Sequence, residues 1–449
     1  MAGESNSDNN GVKKKPNIGE KIKKYKEQSE TSVFRDARPI HTPFKEYQPN
    51  GYHLKFMQVI TRHGRRTPES TRYPLEMWSC NNIENLISDH TEKPTCAKGQ
   101  LTVFGTKDLI NVGRAYHTLL IDRLQFLSPQ YTPSEIYIRS SDRERTISSA
   151  RSLMHGLYGG SFAESNERSP RSSTFEIRPE PIENMYPRGS CQRFSFLKSL
   201  LPKHPVVLND QKKSELAKFN QRVQAIFDDA KDDDAPFYLQ GWRSYAGLVN
   251  SFDCFKNHGL PLPRGFTQQV VERMYLEAAK EYKSMGLFPD MSVLGIGRFV
   301  GDLSRQMFAK ANNEKSVHPL KFALYSAHDS TLASLLVAFK MYDDNKHPET
   351  ASTLEFLLYE KESEKVEKEK EKKTVVGSKD DDKQFVKIIY NQKVLHMEDC
   401  NDQEVDNMCP LGRFREICDS LIPTNYTEQC KITDEEKKRF NVAIQNAKL

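Results

Sequence analysis

The stretch Arg62-His63-Gly64-Arg65-Arg66-Thr67-Pro68 sets one imidazole among guanidinium groups. Their charge repels a metal cation, so this histidine is badly placed as a metal ligand. Planar arginine forks instead match the oxygens of a phosphate monoester, which they can bind two at a time. The glycine is expected to let the backbone turn tightly beside the ring. Two further segments carry reactive side chains: Arg139, after Glu135-Ile136-Tyr137-Ile138, and His328-Asp329, after the apolar run that ends at Ala327. Gathered in one crevice, Arg62, His63, Arg66, Arg139, His328 and Asp329 would offer cations and one carboxylic acid, a set suited to phosphoryl transfer.

The elements around these residues are expected to gather them. Residues 54–60 form a nearly continuous apolar run, the pattern of a strand covered on both faces. Residues 102–127 space Leu109, Ile110, Tyr116, Leu120 and Leu124 as a helix does. Residues 135–139 read as a second strand running into Ser141-Asp142-Arg143-Glu144, a capping box that opens a helix with Ile147, Ala150, Met154 and Leu157 on one side. Residues 321–326 and 330–341 repeat strand and helix. Ligands of open α/β sheets bind beyond the carboxyl ends of the strands, where all three reactive segments fall. The fold class expected is α/β: a three-layer α/β/α domain with a mixed central sheet and a mainly helical insertion or cap.

Organisation along the 449 residues follows from composition. Residues 1–50 are polar and read as a disordered tail or linker, leaving 51–449 as the folded domain. Residues 181–263, rich in Pro, Lys, Asp and single aromatics, read as the helical insertion over the sheet. Residues 265–285 form a long amphipathic helix with a core or cap role. The charged run 361–383 lies between two strand-like segments and reads as an overgrown, solvated hairpin loop. The net charge of +5 is dispersed, so no nucleic-acid partner is expected.

No apolar stretch is long enough to span a bilayer, and the first 50 residues lack the apolar core of a secretory signal. Eight cysteines, four of them at 400, 409, 418 and 430 beside the sequon Asn425-Tyr426-Thr427, fit an oxidising compartment and a glycoprotein. The conflict has two resolutions: a secretory-pathway or extracellular protein whose signal or anchor is missing from the given chain, or a cytoplasmic one with free thiols. Gly295-Ile296-Gly297-Arg298-Phe299-Val300-Gly301 carries one residue too many for a dinucleotide loop, and no clear strand leads into it. His41, His53, His90 and His117 stand alone, and the C-terminal cysteines lack paired spacing for zinc, so neither a metal site nor a cofactor is expected.

The RHGxRxP stretch at 62–68, the IRSSDRERT stretch at 138–146, the ALYSAHDSTL stretch at 323–332 and Cys409-Pro410-Leu411 with Phe414 together resemble the histidine acid phosphatase family, branch 2 of the histidine phosphatase superfamily. The resemblance covers about residues 54–430. The segments 96–102 and 425–430 are similar to the phosphoxylose and lysophosphatidate phosphatase subgroup. Ser141 stands where that family often has Thr, and the run 361–383 is extra. The family resemblance implies a short-range disulfide near Cys400 and Cys409. It also implies His63 as nucleophile, Asp329 as proton donor, and Arg62, Arg66, Arg139 and His328 as the phosphate-binding set, in a metal-independent acid phosphatase working through phosphohistidine. The neighbouring guanidiniums would lower the proton affinity of His63 and keep it a free base. Two other functions fit the same residues: a silent phospholigand-binding protein, and a phosphotransferase or mutase. Which monoester is the substrate depends on the insertion and the loops, not on the phosphate pocket.

Overall fold

The computed structural model describes residues 46–69, 80, 96–165, 175–187, 189–212, 214–229, 244–259, 262, 265–342, 345–362 and 383–446. The strands are β1 (Tyr52–Arg62), β2 (Ile136–Ser141), β3 (Phe175–Arg178), β4 (Phe322–Ala327), β5 (Thr353–Lys361), β6 (Gln384–Tyr390), β7 (Lys393–Leu395) and β8 (Cys409–Pro410). The principal helices are α1 (Val103–Tyr116), α2 (Glu144–Tyr158), α3 (Gln192–Leu200), α4 (Pro205–Lys212), α5 (Ser214–Asp229), α6 (Tyr245–Lys256), α7 (Gln268–Ser284), α8 (Pro289–Ala311), α9 (Asp329–Ala338), α10 (Leu411–Leu421) and α11 (Asp434–Asn446).

The sheet runs β3-β2-β4-β1-β5-β6-β7, with β8 on β6. Its first four strands are parallel and the β1–β5 pair is antiparallel, so the sheet is mixed. β4 lies between β2 and β1 and pairs with both, which sets the carboxyl ends of three chemistry-bearing strands side by side. β1 is buried from Phe56 to its end because both its faces are covered. Phe56 and Ile60 join the core against α8 and α9, while Met57 and Val59 join the core against α1 and α2. This is the three-layer arrangement that the apolar run at 54–60 predicts.

Several boundaries differ from the sequence expectation. Residues 46–50 are not tail: Tyr47 is buried, and its hydroxyl donates to the Glu355 carboxylate at 2.6 Å. The rest of the proposed tail, residues 1–45, lies outside the described residues. So does most of the charged run, residues 363–382, though β5 and β6 pair antiparallel on either side of it as a hairpin requires. The helix predicted over 102–127 is α-helical to Tyr116 and then widens into a π-helical stretch, His117–Arg123. The Gly295–Gly301 segment sits inside α8, where any side chain on Gly297 would strike the Leu421 carbonyl at 2.0 Å; helix packing explains that glycine without a nucleotide.

The described parts of residues 181–263 are mainly helical. α5, α6 and α7 close a core of their own around Val223, Phe227, Leu248, Phe252, Phe266 and Met274. This cap contributes side chains to the site below it.

Candidate active site

β1 delivers Arg62 and His63 to the edge of the crevice. The His63 amide donates to Ala327 at the end of β4 at 3.1 Å, and the His63 carbonyl accepts from Ala351 at 3.1 Å, so the residue is clamped from both sides. Its Nδ1 lies 2.9 Å from the Gly64 carbonyl. A carbonyl can only accept, so the proton sits on Nδ1 and the lone pair on Nε2. The glycine is there for a reason other than the expected turn. Its φ is ordinary, but a Cβ would lie 2.4 Å from the Gly105 carbonyl, so α1 can approach the chain only because position 64 is bare.

Burial lowers the proton affinity of His63 well below the ordinary histidine value, and the charges of Arg145, Arg62 and Arg66, with His328, lower it further. The largest of these charges was not foreseen. Arg145 occupies the first turn of α2 and acts on both histidines of the site. Its signal was present in the sequence: a cation in the first turn opposes the helix dipole, which invites the question of what anion it awaits.

Arg139 does not join this cluster. β2 continues through Ser140 and Ser141, so Arg139 lies inside the strand, opposite Tyr325 of β4 and Glu176 of β3. Its side chain is fully buried and held by Asp302 at 2.8 Å, Glu183 at 2.7 Å and Asn184, with its Nε–H left without an acceptor. The expectation that it binds phosphate assumed the strand ended there; two further residues of strand carry the guanidinium to carboxylates instead.

The capping box also has another form. Arg143 is the N-cap of α2 and its side chain makes no cap bond. Ser141 Oγ lies 2.9 Å from Thr146 Oγ1 and 2.8 Å from His328 Nε2. That hydroxyl positions the second site histidine, whose ring centroid is 5.7 Å from that of His63. Burial and the charge of Arg145 push the His328 value down to about 3.

Asp329 opens α9, with Oδ1 accepting from the Ser330 amide at 2.8 Å. Its Oδ2 accepts from Asn250 Nδ2 at 2.8 Å and lies 3.9 Å from Arg62 Nη2 and 3.1 Å from His347 Nε2. Burial by itself would raise its value, but Arg62, then His347 and Asn250, hold the carboxyl well below the usual range. Arg62 is fixed in turn by the cap: Nη1 donates to Asp253 at 3.1 Å and to the Pro348 carbonyl at 2.5 Å, and Nη2 to Asn250 at 2.7 Å.

Sequence reasoning missed Asn250, Asp253 and His347, all remote in the chain from the residues they serve. Among the described residues, the buried Nε–H groups of Arg62, Arg66 and Arg145 find no acceptor, as is also true of Arg139 and Arg273, but only the first three surround His63. Buried donors left open in this way suit an anion that brings its own oxygens. Arg65 is otherwise engaged, donating twice to Asp108 at 2.6 Å. No group of three His, Cys, Asp or Glu side chains among the described residues is disposed to hold a metal ion.

A mixed sheet with a helical cap, and a histidine at the end of its first parallel strand facing a His-Asp pair on its neighbour, defines a class of phosphatase. The histidine phosphatase superfamily (branch 2) model matches residues 53–391, and the chain belongs to that family. It is 56% identical over 412 residues to a probable acid phosphatase of Dictyostelium discoideum, a match covering 91% of this chain and 85% of that one. It is 26% identical to human testicular acid phosphatase, over 84% of this chain and 82% of the relative. Among solved structures, Hafnia alvei phytase in complex with tartrate superposes with a TM-score of 0.57 at 12% identity, covering 86% of this chain and 100% of the phytase, which shows a shared fold. The expected enzyme class therefore stands: this is a phosphatase-family hydrolase.

Three cysteine pairs are at bonding distance, Cys80–Cys96, Cys191–Cys430 and Cys400–Cys409, the last being the short-range pair the resemblance implies. Cys254 and Cys418 are free and buried. Among the described residues no helix is long and apolar enough to cross a membrane.

Proposed function

We propose that the protein hydrolyses phosphate monoesters through a phosphohistidine on His63. The observation that carries this is the state of that ring: Nδ1–H is committed to the Gly64 carbonyl, leaving an unprotonated Nε2 among Arg62, Arg66 and Arg145. In the first half, the Nε2 lone pair forms a bond to phosphorus as the ester P–O bond breaks, and the leaving alkoxide takes a proton from Asp329. In the second half, water attacks phosphorus, gives its proton to Asp329, and the N–P bond breaks to release phosphate. Arg62, Arg66, Arg145 and His328 hold the equatorial oxygens and offset the charge of the transition state. Arg145 takes the role first expected of Arg139.

In the resting site Asp329 is ionised, because Arg62 favours the carboxylate. A phosphate dianion beside it opposes that charge and raises its proton affinity, which supports a working range on the acid side of neutrality. The intact nucleophile and donor favour turnover over silent binding. The three disulfides support an oxidising compartment, in the secretory pathway or outside the cell.

The test compares wild type with His63→Ala and Asp329→Asn on an alkyl and an aryl phosphate, with acid-quench trapping of labelled enzyme. His63→Ala is expected to abolish both turnover and trapped label. Asp329→Asn is expected to lose most on the alkyl ester, whose leaving group needs the proton. Full activity in His63→Ala, or turnover abolished by EDTA, would overturn the proposal.

A further inference from the structure

We infer that His347 is a positioning residue for the proton donor, holding the Asp329 carboxylate through its Nε2 and so setting the pH at which that acid is loaded. The inference rests on the role proposed for Asp329 and extends the machinery to a residue outside the recognised motifs.

The His347 side chain is completely buried, and its Nε2 stands 3.1 Å from Asp329 Oδ2, within ion-pair distance though off the line of a good hydrogen bond. Its Nδ1 has no partner among the described residues. A histidine kept only to fill space would be a poor choice there. An imidazole buried without hydrogen bonds costs free energy that a leucine or phenylalanine of similar bulk avoids. Its Nε2 does stand against the Asp329 carboxylate, and that contact gives the ring a purpose.

The surrounding loop is tied to the site at three points. The Pro348 carbonyl accepts from Arg62, the Ala351 amide donates to the His63 carbonyl, and His347 itself meets Asp329. One short segment between α9 and β5 therefore touches the nucleophile, its neighbouring cation and the acid. The titratable groups facing His347 are Asp329 from α9, itself 3.9 Å from Arg62 of β1, and Tyr275 and Tyr282 from α7, whose ring centroids lie 6.3 Å and 5.8 Å away. Asp253 of α6 stands behind them, bound to both Arg62 and the Tyr275 hydroxyl. The tyrosines close the ring off from solvent, so the short contact with Asp329 is felt at low dielectric.

A donor or positive charge at Nε2 favours the ionised form of Asp329. The contact thus makes protonated Asp329 a readier donor to the alkoxide and its carboxylate a weaker base toward water, but it leaves a smaller fraction of Asp329 protonated at a given pH. Removing it leaves Asp329 protonated to higher pH.

The experiment measures kcat against pH for His347→Leu, His347→Gln and His347→Asn beside wild type, with alkyl and aryl phosphates, and the melting temperature of each. Glutamine can present an N–H toward Oδ2 without titrating; asparagine is too short. The alkaline limb of kcat is expected to move up by about one pH unit in the leucine and asparagine variants and to stay near wild type in the glutamine variant, that shift corresponding to about tenfold in proton affinity. A residue that is only structural would lower the melting temperature and depress both substrates equally, with the limb in place. An unmoved limb in a folded leucine variant overturns the inference; if leucine does not fold, the same limb position in the glutamine and asparagine variants overturns it. His63→Ala is the reference. If it retains turnover, the phosphohistidine proposal fails whatever His347 does; if it is dead and the limb has not moved, only the role of His347 fails.

Discussion

Arg145 Nη2 lies 2.9 Å from Glu69 Oε1, with the guanidinium largely buried and the carboxylate more than half exposed. Arg145 acts on both His63 and His328, so this glutamate holds the cation to which the proposed reaction assigns an incoming phosphate. An ion pair with one exposed partner is worth about 1 kcal/mol or less, so a dianion can displace it. In Glu69→Gln, inhibition by inorganic phosphate is expected to tighten by roughly twofold to fivefold with kcat little changed. Weaker phosphate inhibition would mean that Glu69 orients Arg145 and does not compete for it.

Arg139 and Arg145 are expected to fail in opposite ways. Arg139→Met leaves the buried Glu183 without its cation, while Asp302 keeps Arg178 and Asn184, and a loss of about 3–5 kcal/mol in urea unfolding is expected. Arg145→Met removes an anion ligand and is expected to lower kcat/KM by about 100- to 1,000-fold with unfolding little altered. Equal losses of activity in two stable variants would restore Arg139 to the phosphate site.

The buried histidines make acid costly to the fold. Burial pushes His258 down to about 4 from the ordinary 6.5, its Nδ1 lying 2.7 Å from the Cys254 carbonyl and its Nε2 2.8 Å from Thr102 Oγ1. Between those values the unfolded chain binds a proton that the folded chain refuses, so stability falls as pH drops from about 6.5 to about 4 and then levels off for this group. The loss is on the order of 3 kcal/mol at most. His328 contributes in the same direction over a slightly wider window. Urea unfolding at pH 7 and pH 4 is expected to show a smaller difference in His258→Gln than in wild type; an equal difference would remove His258 from the account.

Much of this was legible because it is local. An apolar run covered on both faces is a strand, a charged residue at its end reaches solvent or ligand, and His63, Arg62 and the His328-Asp329 pair each follow such a run directly. Arg66 belongs to the same stretch and acts on both histidines. Arg139 was misplaced by two residues of strand length. Sequence pattern sets that end poorly, because Ser140 and Ser141 suit a turn as well as a strand, and in the fold they continue to pair with β3 and to meet β4.

By itself, then, the chain's pattern determined an α/β domain, the order of its reactive segments and their shared electrostatic character. Only tertiary structure decided which cations stand by His63, and that Asn250, Asp253 and His347 close around Arg62 and Asp329. Strand and helix propensities act over a few residues, whereas those contacts join positions 79, 191 and 18 apart, through the cap and the loop between α9 and β5, whose packing no local periodicity encodes.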